Sequence, residues 1–174
     1  MYYTLSNSAR CKSTVNYSLS ADSDPALSID SVSGSVMLSV NPDFESKNMN
    51  IINISGLYNV SPQILPSDVI TLSEKGFEKV ICNRPDLEVP ADLQSQVIEN
   101  AARQAGLLFE YHPLTHDTMY HENIEKQMEF VDACKSPVLA YCAGGTRCTV
   151  AWALAQVGKM SKDEILKTTR MAGY

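Results

Sequence analysis

From residue 49 onward the apolar positions fall into blocks that switch between a two-residue and a 3.6-residue period. Residues 49–54 and 57–60 read as short strands separated by the turn pair Ser55-Gly56. Residues 66–74 carry a helical pattern, with Pro66 at the first position, Asp68 in the first turn and Gly76 as the stop. Residues 79–83 (Lys-Val-Ile-Cys-Asn) are a buried type of strand that runs into Arg84-Pro85-Asp86. Over residues 91–105, Leu93, Val97, Ala101 and Ala105 share one helical face, and Gly106 follows as a cap. Residues 107–111 predict a third strand, which leads into a loop with His112, Pro113, His116 and Asp117. A helix over 122–134 presents Ile124, Met128 and Val131, and residues 137–141 form the next strand. Helices over 149–157 and 161–172 complete the pattern, the second opened by the capping box Ser161-Lys162-Asp163-Glu164.

Strands alternating with helices of this length imply right-handed crossovers. The expected fold is α/β: three layers, with a mainly parallel central sheet and helices on both faces. Ligands of such sheets sit outside the carboxyl ends of the strands. The loops after Asn83, Tyr111 and Tyr141 should therefore converge, gathering Arg84, Asp86, His116, Asp117, Cys142 and Arg147.

Residues 1–48 differ in character. They are rich in Ser and Asn, carry Pro25 and Pro42, and alternate only through 35–40, enough for one weak strand. The segment reads as a flexible or weakly ordered leader, or as an over-extended translation start, because Met49 opens the regular part; residues 49–174 read as one domain.

Composition narrows the setting. The 174 residues are 44% apolar and 20% charged, which suits one globular domain. A net charge of -6 leaves no basic stripe for nucleic acid or an anionic membrane, though a basic pocket would still draw a small anion. No apolar run approaches the roughly 20 residues of a membrane span. Five cysteines show no paired framework and no signal-peptide pattern precedes them, so a reducing cytoplasm is the expected location.

That setting keeps thiols available, and one of them stands in an unusual context. The strand over 137–141 runs into Cys142-Ala143-Gly144-Gly145-Thr146-Arg147 and then directly into a helix. A thiol at a helix N-terminus with a guanidinium beside it should have a depressed pKa. Two glycines let the backbone curl so that successive N–H groups form an anion cradle. Cys82 and Cys134 lack any such Arg-Gly environment and read as core residues. His112, His116 and His121 match no known metal-ligand geometry, so neither metal nor cofactor is expected.

Beyond these local features, residues 49 to the end resemble the phosphatase-like domain family of the bacterial beta-lactamase hydrolase-like proteins, a distant relative of the tyrosine and dual-specificity phosphatases. The resemblance rests on the segment from Gly56 to Gln63, on Gly76 through Asn83-Arg84-Pro85-Asp86, on His112-Pro113-Leu114, and on Tyr141-Cys142 through Arg147 with Trp152-Ala153-Leu154 behind. It implies a tyrosine-phosphatase-like fold, with Cys142 as nucleophile, Arg147 as oxyanion ligand and Ala143, Gly144, Gly145 and Thr146 as the backbone cradle. Arg84 and Asp86 match the family's Asn-Arg-Pro-Asp stretch.

The chain also departs from the pattern. Tyrosine phosphatases place five residues between Cys and Arg, whereas four stand here, the size seen in rhodanese-like sulfurtransferases. The Ser usual after the Arg, which in the family hydrogen-bonds the departing thiolate, is replaced by Cys148, followed by Thr149, so either Thr149 substitutes or that step is weakened. Cys148 itself reads as an inert core thiol, or else as a resolving thiol. The expected activity is phosphate-ester hydrolysis, with Asp117 as the acid and Asp86 as second choice. The alternative is transfer of a sulfane sulfur through a Cys142 persulfide, and a third reading is a non-catalytic anion-binding module.

Overall fold

The computed structural model describes residues 49–174 and the backbone of two strands nearer the N-terminus. By compactness the chain divides into Met1–Glu45 and Ser46–Tyr174. In the first unit, β1 (Leu27–Ile29) pairs antiparallel with β2 (Val36–Leu38), Leu27 opposite Leu38. β2 occupies part of the alternating stretch expected to form a strand; the leader's expected flexibility lies outside the described residues.

The second unit is built on a five-stranded sheet: β3 (Ile52–Ser55), β4 (Tyr58–Ser61), β5 (Lys79–Cys82), β6 (Leu108–Tyr111) and β7 (Val138–Tyr141), in the spatial order β3-β4-β7-β5-β6. β3 and β4 form an antiparallel hairpin, and the other three pairings are parallel. β7 is central, flanked by β4 and β5, so its C-terminal end emerges in the middle of the sheet edge. Such strands are buried on both sides and read as continuous apolar runs, which is why Val138-Leu139-Ala140-Tyr141 shows no alternation.

The pleat sorts those side chains to two faces. Val138 and Ala140 join Val60, Ile81, Val131, Cys148 and Trp152 in one core, together with residues of α3 (His121–Asp132) and α4 (Thr146–Ala155). Leu139 and Tyr141 join Val69, Leu72, Val80, Ile98 and Ala102 in the other, beneath α1 (Asp68–Glu74) and α2 (Ser95–Gln104). Each fully buried Val, Leu or Ile contributes about 1.5–3 kcal/mol, so these two layers dominate the unit's stability. The last helix, α5 (Lys162–Met171), begins with the expected Ser161/Glu164 capping box. No helix among the described residues is long and apolar enough to cross a membrane.

Three helices depart from their expected boundaries or faces. α2 begins at Ser95 after a single 3-10 turn, Ala91–Leu93, and buries Ser95, Ile98 and Ala102. The face expected to be buried, Leu93, Val97, Ala101 and Ala105, is only partly buried: Leu93 lies in the 3-10 turn outside α2, and the inward row runs one position on, through Ile98 and Ala102. In α3 the inward row is Ile124, Gln127 and Val131, and a fully buried glutamine lies where apolar periodicity points to Met128. α4 starts at Thr146, three residues earlier than expected, which puts Arg147 and Cys148 in its first turn.

Candidate active site

Chain direction at the end of β7 reverses through Cys142, Ala143, Gly144 and Gly145 before α4. Gly145 stands at the helix N-cap with φ +85°, a left-handed conformation that costs side-chain-bearing residues strain. Its N–H donates to Cys142 Sγ at 3.1 Å, and its carbonyl accepts from Thr149 N at 3.0 Å. Cys142 is 1% exposed, and burial alone would push its thiol up. Instead it is lowered to about 5: the Cys148 side chain donates to it, and the N–H groups of Cys148, Gly144 and Arg147 add to that against the opposing effect of burial. A thiolate here is thus held by hydrogen bonds to its charged form at the positive end of α4. Cys148 moves the opposite way, pushed well above its ordinary value by burial and by its bond to Cys142.

The Thr149 hydroxyl donates to Gly145 O at 3.1 Å, a back-bond within the helix. Cys148 is fully buried in the core beside the loop, and it is the first of the groups that lower the Cys142 thiol.

Arg147 in the first turn of α4 opposes the helix dipole, and its partner is a residue that the sequence pattern did not single out. Glu88 takes both of its terminal nitrogens, Nη1 donating to Oε1 at 3.0 Å and Nη2 donating to Oε2. Nη1 also donates to Leu114 O at 2.9 Å. A guanidinium has five N–H donors. Three are engaged in these bonds, which among the described residues leaves Nε–H and one Nη2–H side by side on a single edge, the pair suited to two oxygens of one anion. Glu88 therefore orients Arg147 without occupying that edge. Its own carboxyl is held below the ordinary carboxylate value, first by the hydrogen bond from Arg147.

Arg84 braces this arrangement, donating from Nη1 to Gln63 Oε1 at 3.0 Å and from Nη2 to the Glu88 carbonyl at 3.0 Å. It thereby links the loops after β4 and β5, a structural engagement where direct ligand binding was expected. Asp86 is engaged too: Ser95 N and Oγ donate to its carboxylate at 2.6 and 2.8 Å, so it caps α2 from nine residues upstream. Asp117 lies exposed in the 3-10 turn His116–Thr118, which is closed by a Thr115/Thr118 capping box just beyond the Leu114 carbonyl that Arg147 holds.

Beneath the loop lies a buried polar network. Asn83 and Gln127 exchange amide hydrogen bonds at 2.9 and 2.8 Å, Gln127 donates to Tyr58 Oη at 3.0 Å, and Tyr58 donates to Cys148 O at 3.0 Å. Breaking any link would leave a desolvated group unpaired, at about 1–3 kcal/mol. The network ties β4, β5 and α3 to the first turn of α4. The three histidines stand apart: His112 is buried and bonds Asn123 O, His116 is exposed, and His121 pairs with Glu125. Among the described residues no group of three or more His, Cys, Asp or Glu side chains gathers as a metal site would require.

A mostly parallel sheet whose central strand feeds a cysteine loop and a helix carrying an arginine defines the tyrosine-phosphatase-like class of α/β domain. Solved structures agree on the fold: the Pseudomonas aeruginosa protein TpbA, in a complex with phosphotyrosine, is similar with TM-score 0.53 and 17% identity over 69% of this chain and 71% of that one. A candidate phosphatase of Neisseria meningitidis matches with TM-score 0.67 and 30% identity, over 73% of this chain and 91% of that chain. The family model of the beta-lactamase hydrolase-like protein, phosphatase-like domain, matches residues 50–159, and the chain belongs to that family. A beta-lactamase hydrolase-like protein of Xylella fastidiosa is 29% identical over 119 residues, 67% of this chain and 28% of the relative's length. The chain thus spans under a third of the curated relatives it matches.

Proposed function

We propose that residues 49–174 are a cysteine-dependent, phosphatase-like hydrolase domain acting on a small phosphate ester in the cytoplasm, with residues 1–48 a leader outside it. One observation carries the reading: a thiol lowered by the Cys148 side chain and main-chain N–H donors opens the loop that leads into α4, whose first turn carries a guanidinium with, among the described residues, two adjacent donors unengaged. Cys142 attacks phosphorus in line, and the P–S bond forms as the bond to the leaving oxygen breaks. The amides of the cradle at 143–146 and the open edge of Arg147 bind the equatorial oxygens, where charge is concentrated. Asp117 protonates the leaving oxygen, a role for which its exposed turn beside the Arg147-bound Leu114 suits it better than the capped Asp86. Water then cleaves the thiophosphate, releasing phosphate and the thiolate, to which Cys148 donates again. No metal or cofactor enters this scheme, and the net charge of -6 disfavours nucleic acid as a partner.

The test is release of phosphate from an aryl phosphate by the purified chain, expected to fall to background in Cys142→Ser. Turnover surviving in that variant would exclude the mechanism.

A second reading is favoured by the loop itself, which has only four residues between Cys142 and Arg147 and, among the described residues, no carboxylate bonded to the sulfur. In a rhodanese-like reaction Cys142 takes the outer sulfur of thiosulfate, releasing sulfite, and cyanide then removes that sulfur as thiocyanate, with no acid required. Thiocyanate formation without phosphate release would select this reading. Binding of both anions without either product would select a non-catalytic anion-binding module.

A further inference from the structure

The loop's orientation depends on a residue that neither the motif nor the scheme above includes. α5 ends at Met171 with Ala172 as its C-cap, after which Gly173 takes φ +85°. Gly173 N–H donates to Arg170 O at 3.0 Å and Tyr174 N–H donates to Thr169 O at 2.9 Å, the paired bonds of a Schellman motif. This cap fixes the direction in which Tyr174 leaves the helix. Its ring packs against the core that contains Cys142 and Cys148, and its hydroxyl donates to Gly144 O at 3.1 Å.

Gly144 C=O and Gly145 N–H belong to one peptide plane, and in a trans peptide they point in opposite directions. Fixing the carbonyl therefore fixes the N–H. That same Gly145 N–H donates to Cys142 Sγ at 3.1 Å. A Cβ on Gly145 would lie 1.9 Å from Tyr174 Oη, so the ring and the loop leave each other no slack.

We propose that Tyr174 is a positioning residue of the cysteine loop: its hydroxyl holds the Gly144 carbonyl outward and so keeps the Gly145 N–H aimed at the nucleophile. A hydrogen bond at one end of an amide also polarises the donor at the other, which strengthens the bond to sulfur. The inference rests on Cys142 being the nucleophile, and it holds for phosphoryl or sulfur transfer alike.

The test is Tyr174→Phe in the full chain, which retains the ring and removes only the hydroxyl. The rate of Cys142 alkylation by iodoacetamide is followed against pH, with thermal melting as a control. The expected result is a profile displaced to higher pH than wild type, with turnover about threefold to tenfold lower, the scale of one net hydrogen bond. Gly173→Ala, which disturbs the cap without touching the loop, should displace the profile in the same direction. A purely structural role would lower the melting temperature and leave the profile in place. Profiles of both variants superimposed on wild type would overturn the inference while leaving the nucleophile intact. An ordinary wild-type thiol profile would instead overturn the reading of Cys142 itself.

Discussion

Two adjacent strands of the sheet each lead to a buried sulfur, and the two thiols titrate in opposite directions. Cys82 ends β5, is 2% exposed and is pushed up, chiefly by burial; Cys142 follows β7, is 1% exposed and is pulled down to about 5. Strand position and burial are matched, so neither explains the difference. What differs is the supply of donors. Cys82 has one side-chain partner that lowers it, Tyr141, and itself donates to Arg84 O at 3.3 Å, whereas Cys142 has the Gly145 N–H, the Cys148 side chain and the N–H groups of Cys148, Gly144 and Arg147. A buried thiol is lowered where the backbone turns its amides inward, and of these two strands β7 is the one followed by that turn, through Gly145 and the N-terminus of α4.

Arg147→Ala should break the site most severely while leaving the thiol contrast standing. Turnover is expected to fall by about 2–4 kcal/mol of transition-state stabilisation, the scale of losing a preorganised anion ligand. Alkylation of Cys142 near neutral pH should persist, because the main-chain donors remain; wild-type turnover in this variant would remove Arg147 from the mechanism. Glu88→Gln comes next. It keeps the shape but loses the charge that orients the guanidinium, for an expected loss of about tenfold in turnover, near 1.4 kcal/mol. An increase in turnover would mean instead that Glu88 obstructs the anion. The smallest effect at neutral pH belongs to Cys148→Ala, which makes Cys142 more like Cys82 by removing its largest stabilising donor. Its signature is a rise in the pH at which Cys142 becomes reactive, read by alkylation, while Cys82→Ala should leave that pH unchanged. Equal effects from the two substitutions would erase the comparison.

The cysteine loop was legible in the sequence because all its parts are contiguous: an apolar strand, a thiol, two glycines, an arginine and a helix within about a dozen residues. The sheet was legible for a related reason, since β5 and β7 are short, largely apolar runs with glycine or proline within a few residues of them. What escaped was carried by distance along the chain. Glu88 meets Arg147 across 59 residues and Gln127 meets Asn83 across 44, and no periodicity encodes either pairing. α2 was misplaced because its cap, Asp86, lies outside any local capping pattern. α4 began early because Gly145 opens it through backbone conformation, with no capping side chain to mark the start. Nor does the sequence show that the Thr149 hydroxyl turns back onto Gly145 O.

The central claim reduces to the ionisation of one sulfur. Iodoacetamide labelling of the intact chain across pH, with the modified peptide quantified by mass spectrometry, measures it directly. The account predicts that labelling of Cys142 rises through a midpoint of about 5 and is on its plateau at neutral pH. A midpoint at or above about 8.5, that of an ordinary cysteine, would contradict it.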